Sequence, residues 1–178
     1  MEYASSPRAR VMQELAAEVR HKTLQILQAA RASELTWAPP GTANHLLWHA
    51  GHALWLQDEL CIEPVTGRSE LPSGYAELFQ MGSRPGRLRR AWPTREELGQ
   101  HLQVQLARVQ EVIRSVPDAD LDRPPRHAQP GSSRTLGYCI LHGLHDEANH
   151  QGEMYLLLKM QRLRPDARSP QVPPGRET

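Results

Sequence analysis

Six of the nine histidines fall in two short windows, His45/His49/His52 and His142/His145/His150. In the second window the run His142-Gly143-Leu144-His145-Asp146-Glu147-Ala148-Asn149-His150-Gln151-Gly152-Glu153 places Asp146 four residues before His150. On a helix that spacing puts the two side chains one turn apart on one face, so a single metal ion can bind both. A third ligand from a facing helix would complete a tripod and leave coordination positions open to water or substrate. His49 is the choice for that ligand, because in Leu46-Leu47-Trp48-His49-Ala50 it lies mid-face among residues expected to be buried. Spacing alone equally admits His45 with His49, or His142 with Asp146. Two plainer readings compete. A core-facing histidine is commonly hydrogen-bonded to a partner and nothing more. The 142/146/149/153 row also fits a solvated helix face, almost opposite the apolar arc through Ile140, Leu144, Tyr155 and Leu158.

The remaining candidates have weaker claims. His45 and His52 lie about one turn either side of His49, placed to line a pocket or to orient ligands. Glu147 and Glu153 can accept a proton from a ligand imidazole or stand as solvated carboxylates. Trp48 and Trp55 read as core packing, with a pocket wall as the alternative. His21, His101 and His127 read as surface or loop residues. Nothing around Cys61 or Cys139 marks an activated nucleophile, and Cys139 reads as a buried helix residue.

Four segments with apolar residues at helical spacing must position these groups, and all 15 prolines fall outside them. The first runs from about Arg8 to Arg31 after Ser6-Pro7, with Met12, Leu15, Ala16, Val19, Ile26 and Leu27 on its stripe. The second, from about Thr42 to Leu60, has an arc shared by His45, His49, His52, Ala53, Leu56 and Leu60, so these histidines point towards the core. The third opens on Thr94 and Glu97, which have the spacing of a capping box, and Pro117 stops it. The fourth runs from about Ser133 to Arg164 and ends before Pro165. A Pro- and Gly-rich connection from about Cys61 to Trp92 contains one short helical turn, around Tyr75 to Gln80. The pattern predicts an all-α four-helix bundle with a long crossover between helices two and three. One domain is expected over residues 1–164, followed by a mobile Pro-rich tail at 165–178.

The 178-residue chain carries a net charge of +1, which argues against a general nucleic-acid or anionic-membrane binder. No apolar run approaches the roughly 20 residues of a membrane span, and no secretory signal opens the sequence. Two cysteines make no disulfide framework. A soluble cytoplasmic protein is the expectation.

Three stretches together resemble the DinB/YfiT-like superfamily of metal-binding four-helix bundles, over about residues 8 to 164. Leu35-Thr36-Trp37-Ala38-Pro39-Pro40 with Asn44-His45-Leu46-Leu47-Trp48-His49 is similar to the family's entry to helix two. Ala148-Asn149-His150-Gln151-Gly152-Glu153 is similar to its helix-four motif, and the long crossover with a Pro-Thr-x-Glu start to helix three also fits. The resemblance implies ligands at His49 and His150. Many members place a third histidine four residues before the last; here that position is Asp146. A carboxylate there is similar to the branch containing mycothiol-dependent maleylpyruvate isomerase, which uses Glu. His145 or His142 would take its place if helix four were irregular, for example at a π-bulge; Gly143 and Gly152 suit either such irregularity or close helix packing.

The resemblance further implies a thiol-dependent S-transferase or isomerase. A divalent ion, Zn(II) first and Ni(II) or Fe(II) next, would activate a low-molecular-weight thiol towards an electrophilic substrate. His45, His52 or Glu153 would assist proton transfer. Two other classes are carried beside it: a non-haem Fe(II) oxygenase, and a stress-associated bundle whose metal is structural or absent. Wide apolar stripes lead us to expect a homodimer.

Overall fold

The computed structural model describes residues 6–83, 85, 92–126 and 133–164. Helix α1 spans Pro7–Ala29. Ser6 caps it by accepting from the Ala9 N–H at 3.1 Å, and Pro7 stands where a missing N–H costs nothing. A single turn, α2, follows at Ala32–Leu35. Glu34 folds back to accept from the Arg31 N–H at 2.7 Å and pairs with Arg162 at 2.8 Å, tying this turn to the far end of the chain.

Helix α3 spans Leu46–Gln57, with His45 in extended conformation as its N-cap. It runs without a break into a π-helical turn at Asp58–Ile62 and a last turn, α4, at Glu63–Thr66. The second helical segment therefore starts later and ends later than apolar spacing predicts. Gly67, at φ +83°, closes it in the left-handed region that favours glycine. Helix α5, Tyr75–Phe79, is the short turn expected in the crossover. Its Phe79 ring lies flat on Gly51 of α3: a Cβ at position 51 would stand 2.1 Å from that ring.

Helix α6 spans Arg95–Ser115, opened by the expected capping box: Thr94 Oγ1 accepts from the Glu97 N–H, and the Glu97 carboxylate from the Thr94 N–H. After a 3-10 turn at Asp118–Asp122, helix α7 runs unbroken from Leu136 to Arg162. The backbone irregularity considered for this helix lies instead at the end of α3. Gly143 serves close packing, its Cα face meeting Cys61 and Leu60 of the π turn, whereas Gly152 faces open space.

α1 packs on α6 and α7, and α3 packs on the same two helices from the other side. The four long elements thus form a bundle, and among the described residues there is no strand. Two large apolar clusters fill it, beside a smaller one of Trp48, Leu78 and Phe79 that seats α5 on α3. One gathers Ala9, Met12, Cys61, Val109, Ile113, Ile140 and Leu144; the other gathers Leu24, Leu27, Leu46, Leu54, Leu98, Leu102, Met154 and Leu158. Along each helix a polar layer falls between them: Arg20 and Thr23, Gln57, Gln105, and Glu147 with Gln151, all buried. Arg20 Nε donates to Glu147 at 2.9 Å, and its Nη1 to the Leu102 carbonyl.

This layer corrects the reading of α7. Its buried stripe passes through Glu147 and Gln151, while Tyr155, placed on the apolar side by hydropathy, is 56% exposed. The tail expected at 165–178, and His127, lie outside the described residues. Among the described residues no helix is long and apolar enough to cross a membrane.

Candidate metal centre

The three histidines at the start of α3 are all buried, as their shared arc predicts, and the rings of His49 and His52 meet His150 of α7. His45 uses Nδ1 to accept the Trp48 N–H at 3.1 Å, capping the helix; its ring meets Trp92 edge-on. His52, two turns on, stacks against Trp48 with ring centroids 4.7 Å apart. Its Nδ1 lies 2.6 Å from the Phe79 carbonyl oxygen. A carbonyl only accepts, so Nδ1 carries the proton and Nε2 keeps its lone pair. The dock of Phe79 on Gly51 therefore fixes the tautomer of the neighbouring histidine.

His150 of α7 is approached from both ring nitrogens. Its Nε2 lies 3.5 Å from Asp146 Oδ2, one turn earlier on the same helix. Its Nδ1 lies 2.8 Å from His49 Nδ1 and 3.4 Å from Glu153 Oε2. The same carboxylate oxygen is 3.0 Å from His49 Nδ1. The His52 ring meets that of His150 edge-on at 4.7 Å.

Two sets of three donors result, each with its ligating atoms within 4.8 Å of one another: His52, Asp146 and His150, and His49, Glu153 and His150. Of the residues singled out by spacing, His49, Asp146 and His150 all come to this place. His150 is common to both sets, with Asp146 on one side of it and His49 on the other. Spacing placed His52 as lining a pocket or orienting ligands, not as a donor; Glu153, weighed as a carboxylate beside a ligand imidazole, lies against both His49 and His150. The signal for His52 was its place three residues after His49 on one arc. No sequence signal marked the Phe79 carbonyl that orients it. The other candidates stand apart: His142 stacks on Tyr138, His145 is exposed beside Asn149, and Glu147 belongs to the buried layer with Arg20.

Burial sets the charge of the cluster. It pushes the His49 imidazole down to about 3, helped by the neighbouring His150, His52 and His45 rings, and that of His45 to about 4. The His52 imidazole is lowered for the same reason, partly opposed by its bond to Phe79. Neutral imidazoles with converging lone pairs beside carboxylates are a donor set for a divalent cation. The Cys61 thiol is fully buried and pushed up, so it offers no thiolate.

The family model described as the DinB superfamily matches residues 15–154, most of the chain and all of the residues just described. The chain belongs to the DinB superfamily. No curated protein matches it. A cleft of about 520 Å³ opens beside the histidines of this DinB bundle, with His49 and Glu153 at one end. Leu156, Leu157 and Met160 of α7 form one wall, and the loop from Pro39 to Asn44 forms the other. The motif that resembled the family's entry to helix two thus supplies both a wall of the cleft and the cap of α3.

Proposed function

We propose that this DinB bundle holds one divalent cation on His52, Asp146 and His150 and serves a thiol-dependent S-transfer or isomerisation. The observation that carries this reading is the orientation of His52. Its Nδ1–H is held by a backbone carbonyl, the usual arrangement of a metal-ligating histidine, which presents Nε2 to the ion. His150 Nε2 and the Asp146 carboxylate lie on the same side, so two nitrogens and one oxygen converge. This set differs from the one read from spacing by a single histidine, His52 in place of His49.

The residues fit Zn(II), with Ni(II) or Fe(II) as the other candidates. When bound, such an ion lowers the pKa of a thiol that reaches it and so supplies a thiolate at neutral pH. The chain's own part is to bind and orient the second substrate. An electrophile with an apolar limb would lie along Leu156, Leu157 and Met160. Glu153 is the carboxylate that lines this cleft, placed to exchange a proton at its mouth. The homodimer expected from the apolar stripes belongs to the same proposal; Val11 of α1 with Tyr138 and Leu141 of α7 form one exposed apolar patch that such a contact would cover.

Elemental analysis of untagged protein tests the site. One equivalent of metal is expected in the wild type and in His49→Ala, and a loss in His52→Ala, Asp146→Ala and His150→Ala. Loss in His49→Ala with retention in His52→Ala would restore the set read from spacing. Turnover tests the chemistry: metal-loaded protein with bacillithiol, mycothiol or glutathione and a model electrophile, compared with His150→Ala. Absence of metal-dependent conjugation with all three thiols would refute the transferase reading. A second reading has one observation in its favour, since two histidines and one carboxylate also form the donor set of non-haem Fe(II) oxygenases; O2 consumption by the Fe(II) form would decide for it.

A further inference from the structure

Helix α7 carries an outward row of apolar side chains that no described residue covers. Tyr138 and Leu141 stand at one end and Leu156, Met160 and Leu163 at the other, each at least 41% exposed. His145, Asn149 and Gly152 continue the row between them. At about 100° per residue these positions fall within an arc of about 100°, a single face of the helix. Charged side chains flank it, Glu153 on one edge and Lys159 on the other. Exposed apolar patches rimmed by polar residues mark interaction surfaces. We propose that this face is the seam of a two-fold homodimer, in which α7 of one copy packs antiparallel on α7 of a second, with the axis beside His150 and Gln151. The seam deepens the homodimer proposed above and rests on that reading; it does not depend on which histidines ligate the cation.

The order of the row selects a second copy as its occupant. The steps along it, 3, 4, 4, 3, 4, 4 and 3 residues, read the same from either end, so the face matches itself when turned end for end. An antiparallel copy sets Tyr138 against the partner's Leu163 and Leu141 against the partner's Met160. It sets His145 against the partner's Leu156 and Asn149 against the partner's Gly152. Every contact is then made twice, the isologous pattern of a two-fold interface. Shape agrees with spacing. Leu163, 71% exposed, is a knob at one end of the row. At the other end, Val11 and Met12 of α1 with Tyr138 and Leu141 line a groove of about 620 Å³ that would take the partner's Leu163. Near the axis, no atom from the rest of the described chain comes within 4 Å of where a Cβ on Gly152 would stand. A glycine inside a helix weakens it, and here the missing side chain lets two helices approach closely where they cross. Leu156 and Met160 also wall the cleft beside His49 and Glu153. The partner's His145 and Leu141, set against those two side chains, form the outer part of each cleft, so neither cleft is complete without the other copy.

Sedimentation equilibrium of the full untagged chain, together with cysteine bridging, tests this seam. The wild type should be a dimer. Leu156→Glu and Leu163→Glu, both at exposed positions of the single chain, should weaken it roughly tenfold or more, since each buries a charge in the seam, while the helical circular dichroism stays that of the wild type. Leu141→Cys/Met160→Cys, oxidised with copper phenanthroline, should form a covalent dimer. The two positions lie about 28 Å apart along one helix, so they bridge between copies and not within one. Leu141→Cys alone should not bridge, because in antiparallel register its two copies stand equally far apart. Cys61 and Cys139 are buried and give a low background. A wild-type dimer that keeps its affinity in both Glu variants, or gives no bridge in the double-Cys variant, would overturn the seam and leave the homodimer to another face. Bridging of Leu141→Cys alone would overturn the antiparallel register. A monomeric wild type would remove the homodimer and the seam together, and crosslinking of position 156 to residues 165–178 in that monomer would give the face to the chain's own C-terminal segment.

Discussion

Two polar clusters sit within this bundle, and they are built on opposite principles. The layer around Arg20 and Glu147 closes on itself. Arg20 donates through Nε to Glu147, through Nη1 to the Leu102 carbonyl, and through Nη2 to Gln105 and Glu147. Thr23 and Gln57 also donate to Glu147, Gln105 donates to the Leu54 carbonyl, and Gln151 to that of Val19. Within this layer Gln57 Oε1 is the atom without a partner among the described residues. The histidine cluster, one turn away on α3 and α7, has lone pairs that converge on one another and on two carboxylates. A network that satisfies its own members specifies how helices sit; one that leaves its lone pairs convergent specifies what can be bound.

Breaking the closed layer should have the largest effect. Glu147→Ala leaves a buried guanidinium without its charge partner and should cost about 3–5 kcal/mol, read by denaturant unfolding. The double variant Arg20→Met/Glu147→Leu should be less destabilised than Glu147→Ala alone, because the desolvation cost goes with both charges. A double variant that is worse would mean the layer supplies net stability.

Gly51→Ala should come next, at about 1–3 kcal/mol for the displaced Phe79 ring. It links the two clusters to different readouts, since moving Phe79 also moves the carbonyl that orients His52. Zn(II) affinity should therefore fall together with the melting temperature. Unchanged affinity would separate the Phe79 dock from the metal centre.

Acid should act on the histidine cluster through the buried imidazoles. Folding holds His49 at about 3 and His45 at about 4, below the value of about 6.5 for an unfolded histidine. The unfolded chain therefore binds more protons between these limits. Stability should be full above about pH 6.5 and fall as pH drops towards 4, by roughly 1.4 kcal/mol per unit for each such histidine. Melting of the metal-free protein across pH 7.5 to 4.5 measures this, and a flat profile would mean the rings are solvated. The smallest effect belongs to His145→Ala, an exposed position, expected within about 0.5 kcal/mol of wild type and with metal content unchanged.

What was legible in the sequence divides along the same line. Helix ends announced themselves through local chemistry: Ser6-Pro7, the Thr94/Glu97 box and Pro117 each act within a few residues. That Asp146 and His150 share one face of α7 was legible because helical spacing fixes a face, and His49 was legible as a buried residue of a facing helix. The role of Glu147 was not, since a carboxylate on a core stripe is stable only with Arg20, 127 residues away, and no local pattern carries that partner. His52 was hidden for a similar reason, because the carbonyl that orients it comes from the crossover. The π turn was foreseen as a kind of event but on another helix; it lies where Leu60 and Cys61 meet Gly143 of α7, a contact no local pattern carries.

That turn makes the site tolerant of counting in one place and intolerant of it next door. The five residues Asp58 to Ile62 join α3 to α4 with i→i+5 bonding, which holds one residue more than an α turn would. Deleting a single residue there would let the backbone relax to ordinary α geometry with the helices on either side in nearly the same register, so His49 and His52 would keep their approach to His150. Ordinary α-helix has no such surplus: the same deletion within α3, between His52 and Gln57, would turn the histidines by about 100° relative to the helix that follows. The π turn is thus the point at which this helix can lose a residue without losing the cluster it carries.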